Sequence, residues 1–189
     1  MQYHTTIKNK KFVFKDLKHL LAQASPERSA DHLAGVAARS ELERTAAQIV
    51  LADLPLKAFL NETFVPYESD EVTRLIIDTH DSNAFQPISH LTVGEFREWL
   101  LNYHTNESQL SKIKMGVTPE MAAAVSKLMR IQDLITVSKK CRVVTRFRST
   151  VGLKGHFSTR LQPNHPTDDP EGVFASILDG LLLLSLIHI

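Results

Sequence analysis

The chain has a single cysteine, Cys141, in 189 residues, so no disulfide framework can form within it. That usage fits a reducing compartment. The opening stretch MQYHTTIKNKKFVF lacks the apolar core of a secretory leader. No apolar run reaches the roughly 20 residues that a bilayer-spanning helix needs. The nine histidines are scattered, with no H-E-x-x-H and no Cys/His cluster at zinc spacing. A G-x-x-x-x-G-K-[ST] phosphate loop and a G-x-S-x-G nucleophile elbow are missing too. Nothing along the chain pairs carboxylates for acid–base work. The net charge is only +1, which announces neither a polyanionic nor a membrane partner for the chain as a whole.

What remains is an ordinary globular composition, 43% apolar and 23% charged. Residues 2–14 read as a hairpin, with Thr5–Ile7 and Phe12–Phe14 β-prone around a Lys8-Asn9-Lys10 turn. Asp16 opens a helix whose face is Leu17, Leu20, Leu21 and Ala24. Ser25-Pro26 reads as an N-cap with proline at the first helical position. Within the small-residue stretch 28–38, Gly35 marks either close packing or a helix break.

Ser40 and Glu43 form a capping box for a helix that Pro55 stops. A loop around Pro66 precedes a helix from Asp70, with Val72, Leu75 and Ile76 as its expected buried stripe. Residues 79–90 read as a loop. Thr92 and Glu95 cap a helix carrying Val93, Phe96, Trp99 and Leu100, and Thr118-Pro119-Glu120 starts one carrying Met121, Val125, Leu128 and Met129. Asp168-Asp169-Pro170-Glu171 is an acidic helix start, with Phe174, Ile177, Leu178 and Leu181 as the expected buried face.

Two late features carry functional content. From Leu134 to Thr167 there is no Asp or Glu, yet the window holds Lys139, Lys140, Arg142, Arg146, Arg148, Lys154 and Arg160. Such a stretch suits phosphate, on a nucleic acid or a nucleotide-like cofactor, or it is a solvated basic face. Inside it, HFSTRLQPN (156–164) alternates apolar and polar residues between Gly155 and Pro163, the period of a strand. Alternation puts Arg160 and Gln162 on one face, where they either face water or hydrogen-bond a small polar ligand. His156 and His165 flank the strand.

The HFSTRLQPN stretch resembles the first barrel strand of the heavy (large) subunit of ethanolamine ammonia-lyase, whose pattern is close to Phe-Ser-small-Arg-Leu-Gln-Pro-Asn. Further similarities run in the same order. They are Arg28-Ser29 with 33–38 (LAGVAA), 70–76 (DEVTRLI), 116–120 (GVTPE) with 123–125 (AAV), and 133–135 (DLI) with Lys139-Lys140.

The resemblance implies an α/β fold: a mostly helical N-terminal region followed by the first strand–helix unit of a truncated (β/α)8 TIM barrel. Residues 1–150 would be the helical extension with its hairpin, 151–183 the first β/α unit, and 184–189 a non-native tail. It implies an adenosylcobalamin-dependent ammonia-lyase that converts ethanolamine to acetaldehyde and ammonia by radical chemistry, with the fragment inactive alone. It also implies a light (small) subunit, a homo-oligomer of heavy subunits, no nucleic-acid or membrane partner, and a cytoplasmic or microcompartment location. The family's substrate-contacting arginine and glutamine fall on Arg160 and Gln162; its cobalamin contacts find no assigned residue here, and no metal ligand is implied.

Lys154 and His156 depart from the family, which tends to carry proline and a small polar residue there. The last six residues, Leu184 to Ile189, can be written as the codons CTG TCT CTT ATA CAC ATC, a string that looks like a sequencing adapter. A barrel takes about 250 residues, so a truncated subunit is expected. The competing reading is a helical module that binds nucleic acid or another partner through its basic 139–160 segment.

Overall fold

The computed structural model describes residues 2–141, 143–146, 150–156, 160–161, 169–182 and 187–188. They fall into two compact units, residues 1–141 and 142–189.

The first unit starts with the expected hairpin. Strands β1 (Tyr3–Ile7) and β2 (Lys10–Phe14) pair antiparallel around Lys8 and Asn9. Both turn residues take positive φ, 48° and 62°, the geometry of a tight two-residue hairpin loop. Alternation buries Phe12 and Phe14 and leaves Val13 outside. Helix α1 (Leu17–Ala24) is capped by Asp16, whose Oδ1 accepts from the His19 amide at 2.6 Å. Its four expected face residues are all buried.

Helix α2 (Ser29–Leu33) corrects the reading of Ser25-Pro26. Ser25 instead closes α1: its amide donates to the Ala22 carbonyl, and its hydroxyl donates to the Leu21 carbonyl while accepting from Lys127 Nζ at 2.6 Å. A hydroxyl so engaged cannot cap a following helix. Gly35 resolves as the break, with φ +68° just past the end of α2.

Helix α3 (Glu41–Ala52) is the hub. It packs on α1, on both strands, and on α7 (Val93–Leu101) and α9 (Pro119–Lys127). Ala46 and Ala47 lie at that crossing with no exposed surface, which lets backbones approach closely. Ser40 Oγ accepts from the Glu43 amide, but Glu43 reaches the Arg39 amide rather than that of Ser40, so only half the expected box forms. The chain after α3 pairs with the start of α7: Leu56 N donates to Leu91 O and Val93 N to Leu54 O. Thr92 and Glu95 make the complete capping box there.

A short α4 (Ala58–Asn61) leads to α5 (Glu71–Thr79), which Asp70 caps as expected. Its stripe is not buried. No residue of α5 is enclosed, and Val72 and Leu75 are 63% and 62% exposed. The hydrophobic period is present, but among the described residues nothing packs over it. The 79–90 segment is also more ordered than a loop, with α6 (Ser82–Phe85) and a 3-10 turn at Gln86–Ile88. Asp81 caps α6 through the amides of Asn83 and Ala84.

Helix α8 (Glu107–Ile113) carries an Asn106/Gln109 capping box that the sequence reading passed over. Thr118 caps α9, with Pro119 first in the helix, and Met121, Ala124 and Val125 are core. Helix α10 (Ile131–Lys140) ends the unit.

In the second unit β3 (Thr145–Arg146) and β4 (Thr150–Val151) pair antiparallel. Strand β5 (Arg160–Leu161) and β6 (Ile187–His188) pair parallel, with α11 (Pro170–Leu182) between them in sequence. Asp169 supplies the acidic start, Oδ2 accepting from the Gly172 amide at 2.9 Å. The expected buried face of α11 is not covered: Phe174, Leu178 and Leu181 are exposed. All described sheets are two-stranded, and no closed barrel exists among the described residues.

Candidate functional site

The strand expected to carry the substrate contacts is present as β5, with Arg160 opposite Ile187 in the parallel register. The second strand of that pair, β6, falls in the 184–189 segment read above as a non-native tail, so the family-derived part of the unit is β5 followed by α11. Gln162 and His165 lie outside the described residues. The structure places Arg160 on its strand. His156 is exposed and follows a turn in which its amide donates to the Leu153 carbonyl.

The basic window is not a uniform face. Lys140 Nζ donates to the Leu100 carbonyl at 2.9 Å and the Asn102 carbonyl at 2.6 Å, satisfying the C-terminal end of α7. Lys139, Arg146 and Lys154 are exposed, and Arg142 and Arg148 lie outside the described residues. One of the expected phosphate-facing cations is thus a structural clasp.

One concave feature of the first unit that the sequence did not announce is a cleft of 370 Å³ between α4, α5 and the start of α9. Phe59, Phe64, Val72 and Ile76 give it apolar walls. Its carboxylates are Glu62, Asp70 and Glu120, and its lining includes no Lys or Arg. Another cleft, of 260 Å³, is lined by Leu75, Thr79, Lys114 and Met115, and Ile76, His80 and Thr118 belong to both.

Local structure fixes these groups. His80 Nε2 lies 3.1 Å from the Gly116 carbonyl, which can only accept, so Nε2 carries the proton; the ring meets Phe85 edge-on at 5.6 Å. Asp70 Oδ2 accepts from both the hydroxyl (2.6 Å) and the amide (2.7 Å) of Thr73, which hold its carboxyl below the usual range. Burial pushes the Glu62 carboxyl up. The Leu17 amide at 2.6 Å and the Tyr3 hydroxyl at 3.0 Å outweigh it, so the net shift is down.

Two of the three carboxylates thus already serve the fold as ionised acceptors. Among the described residues no group of His, Cys, Asp and Glu could hold a metal ion. No described helix is long and apolar enough to cross a membrane.

Comparison with known proteins gives a consistent result. Residues 12–185 match the family model described as Ethanolamine ammonia lyase large subunit (EutB). The ethanolamine ammonia-lyase large subunit of Escherichia coli (strain K12) is 40% identical over 181 residues, covering 96% of this chain and 40% of the relative. That of Salmonella typhimurium is equally similar over the same share. The chain therefore spans about 40% of the length of the curated relatives it matches.

Proposed function

The chain belongs to the ethanolamine ammonia-lyase large-subunit family, and from that membership we propose that it is the N-terminal region of a lyase subunit acting on ethanolamine. The observation that carries the reading is the continuous family match across both compact units. In this reading residues 151–183 contribute the first strand–helix unit of a barrel that the rest of a full-length subunit closes. The order of β5 followed by α11 supports this. The reaction releases acetaldehyde and ammonia, and the chain alone is inactive because the remaining strands are needed to surround the substrate. A light subunit and further copies of the large subunit complete the enzyme, in the cytoplasm or a bacterial microcompartment.

Arg160 and Gln162 are the substrate contacts in this proposal. A guanidinium on the strand supplies fixed positive charge and directed donors to a polar oxygen. A primary amide can donate to and accept from an amino alcohol at once. Adenosylcobalamin would supply the radical chemistry when bound. Clefts of the first unit, among them ones of 370 and 630 Å³, have the size of sites for small organic ligands.

The test is a chimera in which residues 1–182 replace the matching part of the Escherichia coli large subunit, assayed with ethanolamine, light subunit and adenosylcobalamin. Activity is expected. Arg160→Ala and Gln162→Ala should each lower kcat/KM by about 10- to 150-fold, the loss of a hydrogen bond worth about 1.5–3 kcal/mol. Unchanged kinetics in a folded chimera would overturn the site.

A further inference from the structure

Lys127, the last residue of α9, carries a part-buried amine whose Nζ donates to Ser25 Oγ at 2.6 Å. That hydroxyl gives its own proton to the Leu21 carbonyl at 3.0 Å, so towards the amine it acts only as an acceptor. Other carbonyls at the end of α1 are also taken, Ala22 by the Ser25 amide and Ala24 by Gln48 Nε2 at 3.4 Å. Gln48 Nε2 holds the Lys127 carbonyl too, at 3.2 Å. Helix ends that would otherwise favour a cation are thus already satisfied by neutral donors. Among the described residues no carboxylate forms an ion pair with Nζ. Burial, then the charge of Arg28, push the amine below the usual lysine range, against a smaller opposing pull from Asp31. An amine that resists protonation keeps its lone pair, and that lone pair is a nucleophile.

We propose that Lys127 is a site of reversible carbamate formation with dissolved carbon dioxide. The Nζ lone pair attacks the carbon and a C–N bond forms. One C=O electron pair moves onto oxygen, and one proton leaves the nitrogen for water, so nothing is oxidised or reduced. Two observations select this electrophile. Ser25 Oγ faces the nitrogen as an acceptor, so the product must keep an N–H. A carbamate keeps one. A neutral imine made from an aldehyde keeps none, and its protonated form is again a cation. The second observation is charge. Arg28 acts on the site more strongly than Asp31, which disfavours an ammonium and favours the carbamate anion. An amide made by an activated acyl donor would keep the N–H but, being neutral, would draw nothing from Arg28. These residues all lie within 1–141, so the proposal stands apart from the assignment of Arg160 and Gln162.

The test equilibrates the whole chain with isotopically labelled bicarbonate and carbon dioxide at constant pH and ionic strength. A carbamate signal is expected in the carbon NMR spectrum, and Lys127→Arg should remove it. Trapping with a trialkyloxonium salt and mapping the peptides by mass then assigns the lysine. The Lys127 peptide should be labelled several-fold more than those of exposed lysines such as Lys57 and Lys114. Arg28→Gln should lower the Lys127 labelling about threefold, and Asp31→Asn should raise it by a similar factor. Both charge variants leave the Ser25 contact in place, so they test the site even where Lys127→Arg does not fold. Labelling of Lys127 no greater than that of Lys57 and Lys114, or a shift in the same direction in both charge variants, would overturn the proposal.

Discussion

Arg97 on α7 reaches the first turn of α10, where its Nη2 donates to Asp133 Oδ2 at 2.7 Å. The same carboxylate accepts from the Arg130 amide at 3.1 Å, so one buried acid both caps α10 and docks it on α7. Arg97, then the Arg130 amide, hold its carboxyl down to about 2 from an ordinary 3.8. A carboxyl that is depressed in the folded state stabilises the fold above its unfolded value, and the contribution is lost as pH falls through the folded one. Asp133→Asn should therefore lower the melting temperature at neutral pH, and the gap from the parent should close between about pH 4 and pH 2. A gap that persists at pH 2 would mean that the charge is not what holds α10.

Tyr3 gives the opposite pH signature. Burial, then its hydrogen bond to Glu62, raise its phenol to about 12. A raised pKa on this acid means that its contribution is complete below the unfolded value near 10 and lost as pH climbs through about 12. Tyr3→Phe should cost about 1 kcal/mol at pH 8. The difference should shrink in urea titrations above pH 10. An equal cost across that range would place the effect in packing instead.

Where a side chain acts on its own backbone neighbours, the sequence was readable. Asp16, Asp70, Thr92 and Thr118 all cap the helices expected of them, because a cap needs only an acceptor two or three residues from free amides. Reading failed where distant contacts decide. Ser25 looked like a cap, but Lys127, far along the chain, takes its hydroxyl. Val72 and Leu75 keep helical period without burial, since period reports which face is apolar and not whether anything covers it. The candidate site was legible only as a strand. Arg160 lies on β5, and Gln162 lies outside the described residues.

The capping box at α7 offers a local test. Thr92 Oγ1 accepts from the Glu95 amide at 3.2 Å, and Glu95 Oε2 accepts from the Thr92 amide at 2.8 Å. Thr92→Ala should cost about 1 kcal/mol in urea unfolding, and Thr92→Ser should restore most of it. If serine fails to rescue, the threonine methyl rather than the hydroxyl carries the effect.

Gly116 sets how closely the 113–118 segment can approach α6. A Cβ there would stand 2.3 Å from the Phe85 amide nitrogen and 2.5 Å from the Ala84 carbonyl carbon. Both are backbone atoms at the end of a helix, so neither can swing aside as a side-chain tip would. Gly116→Ala must therefore push the two segments apart, at a cost of about 1–3 kcal/mol. The displacement also moves the Gly116 carbonyl that His80 binds at 3.1 Å, and with it the wall shared by the two clefts. Gly35 is the control. It has φ +68° but nothing within 4 Å of an added Cβ, so Gly35→Ala carries only the backbone cost of about 1–2 kcal/mol for a left-handed residue. The two variants can have similar midpoints and still differ in kind. Only Gly116→Ala should shift the His80 ring resonances in an NMR spectrum of the folded chain, and an unmoved His80 would show that α6 yields without disturbing the cleft.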